Sequence, residues 1–170
     1  MTSIVYRDGI LAADSGHFSG NLLVCRESKI TRAPDGTIGA CCGSAHSSTY
    51  LDEWLITRRE APFEVEDEDF YGLFITSDGR VHSVNCHGEL FAFPTSMEWF
   101  SIGVAIEFTQ GALAAGATAR QACELACLYV KGCAGPVETA EVWQPKPAVQ
   151  RFSVEMKSGL GFPSEKRDAG

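Results

Sequence analysis

The second residue of the chain, Thr2, could act as a nucleophile that carries its own base. It follows Met1, and a short side chain at this position is a context from which the methionine is commonly trimmed. Trimming would leave Thr2 with both a hydroxyl group and a free α-amine. Because an α-amino group titrates at about 7.7 to 8.0, it can accept the hydroxyl proton near neutral pH and allow attack on a carbonyl. Taken alone, Thr2 also fits an ordinary exposed terminus.

The cysteines and histidines offer weaker alternatives. There are seven cysteines, an odd number without a C-x-x-C pair, and four histidines without the usual metal-ligand spacing. These residues are Cys25, Cys41, Cys42, Cys86, Cys123, Cys127, Cys133, His17, His46, His82 and His87. A Cys–His dyad could be drawn between many of them without support from a local motif. We expect structural cysteines, a reducing compartment, no metal and no cofactor.

Two hairpins are predicted near the start of the chain. Residues 3–14 contain two short apolar strands around Asp8-Gly9, which is a strong hairpin signal. Residues 29–32 and 37–42 form a second pair around a turn that contains Pro34 and Gly36. We expect these two hairpins to make one sheet.

The middle of the chain predicts a helix and a second sheet. Over residues 44–59 apolar side chains recur at helical spacing, namely Tyr50, Leu51, Trp54 and Leu55. An acidic stretch, which we interpret as a solvated loop, follows at residues 64–69. Strands are then predicted at residues 71–76, 81–85 and 89–93 because of their intervening turns.

In the last third of the chain, strands are predicted at residues 99–104, 137–143 and 149–155. Two helices are predicted between the first and second of these strands, at residues 105–115 and 118–130, with Thr118 as the N-cap of the second helix. The residues from about 157 are expected to be frayed. This order segregates helices from antiparallel hairpins, as α+β folds do. We therefore expect one domain over residues 1–170, built as a sandwich of two antiparallel sheets with helices outside.

Composition excludes several classes of function. The chain has 170 residues, is 45% hydrophobic and carries a formal net charge of -8. Its basic residues are dispersed, so nucleic acid is not an expected partner. No apolar run has the length of a membrane span, and Arg7 and Asp8 stand where a secretory signal would be apolar. We expect a cytoplasmic protein that does not enter a membrane.

Several segments together carry a resemblance. They are Thr-Ser-Ile-Val at residues 2–5, Asp-Gly-Ile-Leu-Ala-Ala-Asp-Ser at 8–15, Ser-Lys-Ile at 28–30, Ile-Gly-Ala-Cys-Cys-Gly-Ser-Ala at 38–45, Leu-Phe-Ile-Thr-Ser-Asp-Gly at 73–79, Ser-Ile-Gly at 101–103, the helical stretch 112–127 and Gly-Pro-Val-Glu at 135–138. In this order and spacing the sequence resembles the proteasome β subunits and the bacterial HslV peptidase. The resemblance spans about residues 2–143. It implies the four-layer αββα fold of the N-terminal-nucleophile (Ntn) hydrolases.

The resemblance also implies a site. Thr2 would be the nucleophile, Lys29 would lie beside its hydroxyl and amine, and Asp14 would keep Lys29 charged and oriented. The oxyanion would rest on the backbone N–H of Cys41, with Gly43 close by. Without a catalytic role, Asp14 and Lys29 would form an ordinary surface ion pair, which contributes little to the stability of the fold.

Three features depart from the family. Cys41 stands where glycine is usual, so its side chain could crowd the substrate carbonyl, leave a reactive thiol near the site, or be a buried strand cysteine. Val104 replaces a serine that hydrogen-bonds the terminal amine, and Ser101, a backbone carbonyl or water would have to substitute. The family's second supporting aspartate, near the C-terminal helix, has no clear match.

By the resemblance, the protein is a threonine peptidase subunit that cleaves polypeptides in a ring homo-oligomer, served by an ATP-dependent unfoldase or a gating ring. The alternatives are a catalytically impaired scaffold of the same fold and a small-molecule amidase of the same superfamily. Neither the substrate preference nor the ring size follows from the sequence.

Overall fold

The computed structural model describes residues 1–57 and 63–142. The strands are β1 (Ser3–Arg7), β2 (Ile10–Asp14), β3 (Gly16–Ser19), β4 (Leu22–Arg26), β5 (Thr31–Arg32), β6 (Ile38–Cys42), β7 (Tyr71–Ile75), β8 (Val81–Asn85), β9 (Leu90–Ala92), β10 (Trp99–Gly103) and β11 (Val137–Glu141). The helices are α1 (Ala45–Ile56), α2 (Ile106–Ala114) and α3 (Ala119–Tyr129).

The first predicted hairpin forms the centre of a four-stranded antiparallel sheet with the order β10-β1-β2-β11. Asp8 and Gly9 both have positive φ angles, 52° and 82°, as a tight two-residue hairpin turn requires. Within the hairpin Ile4 pairs with Ala13, and on the other edge of β1 Ser3 pairs with Gly103. The start of the chain is therefore held between two neighbouring strands.

The second predicted hairpin lies in a different sheet, which corrects one expectation. Strands β5 and β6 join β7, β8 and β9 in a five-stranded antiparallel sheet with the order β5-β6-β7-β8-β9. The expectation that the first two hairpins share one sheet was wrong. A turn motif fixes only which two strands pair with each other, and the segment between the hairpins is long enough to carry the chain to another layer.

The two sheets pack face to face, and helices cover both outer surfaces. Ile4 and Leu11 of the four-stranded sheet meet Ile38, Leu73 and Ile75 of the five-stranded sheet in a common core. The opposite face of the five-stranded sheet packs against α1. The opposite face of the four-stranded sheet packs against α2 and α3. The predicted α+β, four-layer αββα sandwich is confirmed.

An additional hairpin, β3 with β4, was missed in the sequence. Gly20 has a φ of 58° at its turn, and four of the five β4 residues are exposed. An exposed hairpin lacks the alternation of apolar and polar residues that signals a half-buried strand. The hairpin lies between Asp14 and Lys29 in the sequence, so it determines how the chain returns from one to the other.

The helices follow their sequence signals closely. In α1, Leu51, Trp54 and Leu55 are buried as predicted, whereas Tyr50 is 45% exposed and does not belong to the apolar face. Thr118 caps α3 with a complete capping box: its hydroxyl accepts from the Gln121 N–H, and the Gln121 side chain accepts from the Thr118 N–H.

Some predictions fall outside the described residues. The strand predicted at 149–155 and the frayed tail from about 157 lie there, and so do residues 58–59 of the predicted first helix. The single domain over residues 1–170 therefore stays a prediction. In the part of the chain that the structure describes, no helix has the length and apolar character that a membrane crossing needs.

Candidate active site

Thr2 is buried at the point where the chain enters β1. Its residue surface is only 5% exposed. The backbone N–H of Val104, which follows β10, donates to the carbonyl oxygen of Thr2 at 2.9 Å. One residue further on, the Ser3 N–H donates to Asp14 Oδ1 at 2.8 Å. The peptide group that joins Thr2 to Ser3 is thus held by hydrogen bonds at both its carbonyl oxygen and its N–H.

The carboxylate of Asp14, at the end of β2, is fully buried and accepts four hydrogen bonds. Oδ1 accepts from the Ser3 N–H and from Lys29 Nζ, the latter at 3.0 Å. Oδ2 accepts from the backbone N–H groups of Gly16 at 3.2 Å and Ala134 at 3.1 Å. All four donors stabilise the ionised carboxylate, which an uncompensated burial would disfavour.

The ammonium group of Lys29 joins the carboxylate to the threonine. Besides Asp14, Nζ donates to the Gly16 carbonyl oxygen at 2.6 Å and to Thr2 Oγ1 at 3.1 Å. A lysine has three N–H donors, so these three close contacts satisfy it. The Lys29 and Asp14 side chains are only 6% and 0% exposed, so the alternative of a surface ion pair was wrong. A positive charge at this distance lowers the proton affinity of the Thr2 hydroxyl and stabilises an alkoxide.

Met1, which precedes Thr2, also contacts the site. The Thr2 hydroxyl donates to the Met1 carbonyl oxygen at 2.7 Å, and Lys29 Nζ lies 3.5 Å from the same oxygen. While this peptide bond is intact, the Thr2 nitrogen is an amide and has no basic lone pair. The arrangement therefore positions the hydroxyl, but it supplies a base only after Met1 is removed.

A cleft of about 310 Å³ opens beside Thr2 and Lys29, and Cys41 and Gly43 line its wall. The Cys41 side chain is 7% exposed and belongs to the core between β6 and α1. Burial raises the pKa of the Cys41 thiol well above its ordinary value, which keeps the thiol protonated. Of the alternatives for Cys41, its burial in the core between β6 and α1 supports the buried strand cysteine.

At Gly43, in the same wall, a side chain would strain the backbone and crowd Asp67. The φ angle of Gly43 is 134°, and an added Cβ would lie 2.8 Å from Asp67 Oδ2. The residue that follows, Ser44, donates its N–H to this same Asp67 oxygen at 2.6 Å. The backbone that follows Gly43 is thus tied to the Asp67 carboxylate, and the positive φ of Gly43 favours glycine at this turn.

Ser101, one of the groups that could substitute for the missing serine, hydrogen-bonds away from Thr2 here, and its support of the terminal amine stays a prediction. Its hydroxyl donates to the Ile106 carbonyl oxygen at 3.5 Å. Ser101 pairs with Val5 across β1 and β10, and Val5 packs on the helix-covered face of the sheet. Because cross-strand partners share a face, the Ser101 side chain is directed away from the interior of the sandwich.

Two parts of the site were missed in the sequence. The first is the backbone of Gly16 and Ala134, which supplies N–H groups to Asp14. Backbone donors carry no residue-type signal, so only the fold could reveal them. The second is the rest of the cleft lining, which includes His17, Glu27 and Asp52. The β3–β4 hairpin would have placed His17 and Glu27 near Lys29 if it had been recognised.

The described residues contain no group of three histidine, cysteine, aspartate or glutamate side chains that could hold a metal ion. All seven cysteines are free thiols.

Comparison with known proteins gives a likeness of fold rather than of sequence. No family model matches the sequence, and no curated protein matches it. Solved structures do match. BPH from Thiobacillus denitrificans in complex with epoxomicin has a TM-score of 0.60 at 19% identity, over 84% of this chain and 99% of that chain. A second structure of BPH from the same organism has a TM-score of 0.60 at 19% identity, over 84% of this chain and 98% of that chain.

A third similar structure is the Anbu (Gly-1) mutant from Hyphomicrobium sp. strain MC1, with a TM-score of 0.59 at 12% identity over 83% of this chain and 82% of that chain. These proteins have the proteasome-like Ntn fold. The chain described here thus has the Ntn-hydrolase fold. A specific relation to HslV stays a prediction.

Proposed function

We propose that this protein is a proteasome-like threonine peptidase, in which removal of Met1 exposes Thr2 as the nucleophile. The observation that carries the proposal is the contact between Lys29 Nζ and Thr2 Oγ1, 3.1 Å long, made by an ammonium group that is buried and paired with Asp14. A buried charge is costly, and here it is directed at the oxygen that would react.

In the proposed reaction the free α-amine of Thr2 takes the hydroxyl proton, directly or through one water, and Oγ1 attacks the carbonyl carbon of a peptide bond. Lys29 stabilises the developing negative charge on Oγ1. The oxyanion of the tetrahedral intermediate accepts from backbone N–H at Cys41 or Gly43. The amine then gives its proton to the leaving nitrogen, which leaves an ester on Thr2. Water, activated by the same amine, hydrolyses this ester and restores the threonine.

The fold supports the same proposal. BPH, which shares this fold, is bound to epoxomicin in one of the similar structures. Epoxomicin is therefore a suitable probe of Thr2 here. An epoxyketone needs both groups of an N-terminal threonine: the hydroxyl adds to the ketone and the amine opens the epoxide, so the product ring retains every atom of the reagent.

We also propose that the chain assembles with copies of itself into rings that enclose the sites, and that polypeptides reach them through an ATP-dependent unfoldase or a gating ring. Apolar side chains exposed around α2 and α3 support assembly, because a monomer would leave them in water. They are Val104, Ile106, Phe108, Leu125, Leu128 and Tyr129. The net charge of -8 disfavours a nucleic-acid partner, and the proposed location is the cytoplasm.

The experiment that tests the nucleophile is intact mass spectrometry before and after treatment with epoxomicin. The expected result is loss of Met1 and one added reagent molecule per chain, mapped to Thr2. Thr2→Ala should give no adduct and no peptide hydrolysis, whereas Thr2→Ser should keep both. A Thr2→Ala protein that hydrolyses peptides as fast as the wild type would refute the mechanism.

A second candidate function is that of a ring-forming scaffold without catalytic activity. Val104 favours this alternative, since valine cannot hydrogen-bond the terminal amine and Ser101 bonds elsewhere. The same experiment separates the two candidates. A chain that has lost Met1, stays folded and assembles, yet forms no adduct, would be a scaffold. A monomeric or dimeric chain that hydrolyses only small amides would instead be an amidase of this fold.

A further inference from the structure

The cleft beside Thr2 contains an aspartate that no cation neutralises within the described residues. Asp52 of α1 lines the cleft and is partly buried. The Thr31 hydroxyl donates to Asp52 Oδ1. None of the ion pairs formed by the described residues includes Asp52. Partial burial weakens the solvation of this carboxylate, and one hydroxyl compensates only a part of that loss.

The other charged groups in the cleft do not supply the missing cation. Lys29 uses its three donors on Asp14, Gly16 and Thr2, so its charge is already paired. Glu27 also lines the cleft and adds a second carboxylate, which again has no ion pair among the described residues. Like charges in a concave, partly dry site reinforce one another and attract a counter-ion.

The remaining lining suits a long side chain with an apolar stem and a hydrogen-bonding end. Phe18 and Val24 give apolar surface, against which the methylene groups of lysine or arginine can pack. His17 also lines the cleft, and its Nε2 atom has no hydrogen-bond partner among the described residues. The volume of about 310 Å³ corresponds to roughly ten molecules of liquid water, enough for one such side chain.

We propose that the cleft binds an arginine or lysine side chain of the substrate and that Asp52 is the residue that recognises its charge. The side chain belongs to the residue that supplies the scissile carbonyl, because Thr2 and Asp52 line the same small cavity. This inference rests on the proposed function, since it names the preferred substrate of the same site. Asp52 is a specificity residue and takes no part in the bond-breaking steps.

The test compares two fluorogenic peptides that differ only in the residue before the leaving group, arginine in one and leucine in the other. The wild-type protein should have a kcat/KM for the arginine peptide at least about tenfold higher, as a partly desolvated, charge-assisted hydrogen bond provides. Asp52→Asn should remove this preference by slowing hydrolysis of the arginine peptide at least about tenfold more than hydrolysis of the leucine peptide. Glu53→Gln is the matched control, because it removes an exposed carboxylate from the next position of the same helix and should leave the ratio unaltered.

The outcomes separate this inference from the proposed function. If epoxomicin modifies Thr2 and the wild-type protein prefers leucine or shows no preference, the inference is overturned and the proposed function stands. The same holds if Asp52→Asn keeps the arginine preference. If Thr2 forms an adduct but turnover is too slow to follow, the adduct rates of two peptide epoxyketones with arginine or leucine at the same position give the ratio instead. If no reagent reacts with a chain that has lost Met1, both proposals fail.

Discussion

The carbonyl oxygen of Thr2 leaves no room for a side chain on Gly103. A Cβ added to Gly103 would lie 2.1 Å from that oxygen and 2.9 Å from the carbonyl carbon. Gly103 also has a φ of 98°, which side-chain-bearing residues rarely adopt. The N–H of Val104 donates to the same oxygen. The end of β10 therefore sets the position of Thr2 through backbone contacts alone.

Gly103→Ala should have two effects: it should displace Thr2, and it should strain the backbone at residue 103. We expect the free energy of unfolding to fall by about 1 to 3 kcal/mol and the rate of epoxomicin adduct formation to fall with it. Urea denaturation and timed intact mass measure the two effects. Gly111→Ala in α2 is the control, because an added Cβ meets nothing within 4 Å there and should stabilise the helix by about 0.5 to 1 kcal/mol. A Gly103→Ala protein as stable and as reactive as the wild type would contradict this account.

Asp14→Asn should destabilise the fold as well as the site. The change leaves the Lys29 ammonium buried without its counter-charge. It also replaces a carboxylate that accepts hydrogen bonds from three backbone N–H groups by an amide, whose NH2 group can only donate. Breaking a buried pair in this way costs about 3 to 5 kcal/mol. The free energy of unfolding, from urea titrations at one pH, measures the loss.

The double variant Asp14→Asn with Lys29→Met tests the cause of that loss. With no unpaired charge left in the interior, it should recover part of the stability that Asp14→Asn loses, although neither protein should react with epoxomicin. The single variant Lys29→Met completes the comparison. If the double variant loses as much unfolding free energy as Asp14→Asn and Lys29→Met together, the interaction between Asp14 and Lys29 does not stabilise this region.

Local signals in the sequence predicted most of the elements. Asp8-Gly9 adopts the positive φ angles that its hairpin requires, and Thr118 forms the expected capping box. Both signals act over four residues or fewer, so they do not depend on the rest of the chain. The order of strands and helices predicted two antiparallel sheets with helices outside, and this arrangement is confirmed.

What the sequence could not predict depends on contacts between distant residues. The sheet that the second hairpin joins is set by face-to-face packing, which no turn motif encodes. The Ala134 N–H that completes the Asp14 site lies 120 positions further along the chain. Ser101 was placed by proximity in sequence to Gly103, but strand alternation sends its side chain to the other face. Asp52 carried no local signal of a role in the site, and only the fold brings it into the cleft beside Thr2.

Thr118→Ala should weaken the helix that covers β1 and β2. The hydroxyl of Thr118 satisfies the Gln121 N–H at the start of α3, and alanine leaves this donor without its cap. We expect a loss of about 1 kcal/mol in the free energy of unfolding, with Thr118→Ser close to the wild type. Because Thr118 does not contact Thr2, Lys29 or Asp14, the epoxomicin adduct should form at an unchanged rate in the folded protein. A slower adduct in both variants would show that α3 is coupled to the site.

The pH dependence of substrate preference should follow Asp52. Burial raises the pKa of the Asp52 carboxyl, and the hydrogen bond from Thr31 opposes this shift. The charged or titratable groups on the neighbouring elements are Cys41 of β6, Arg32 of β5, Glu27 and Lys29 just before β5, and Glu53 of α1. Since the folded-state pKa is raised, Asp52 takes up a proton at a higher pH than an exposed aspartate, whose pKa is about 3.9. By thermodynamic linkage, the contribution of Asp52 to the free energy of unfolding is therefore greatest at low pH, and it is lost as the pH rises through the raised pKa.

The preference for arginine over leucine should therefore fall as pH decreases through that raised pKa, because a neutral carboxyl does not attract a guanidinium group. The ratio of the two kcat/KM values, measured between about pH 4 and pH 8, isolates Asp52, since the Thr2 amine titrates equally with both peptides and cancels in the ratio. Asp52→Asn should give a low ratio that does not change with pH. A wild-type ratio that stays constant over this range, or an Asp52→Asn ratio that falls in the same way, would assign the preference to a group other than Asp52.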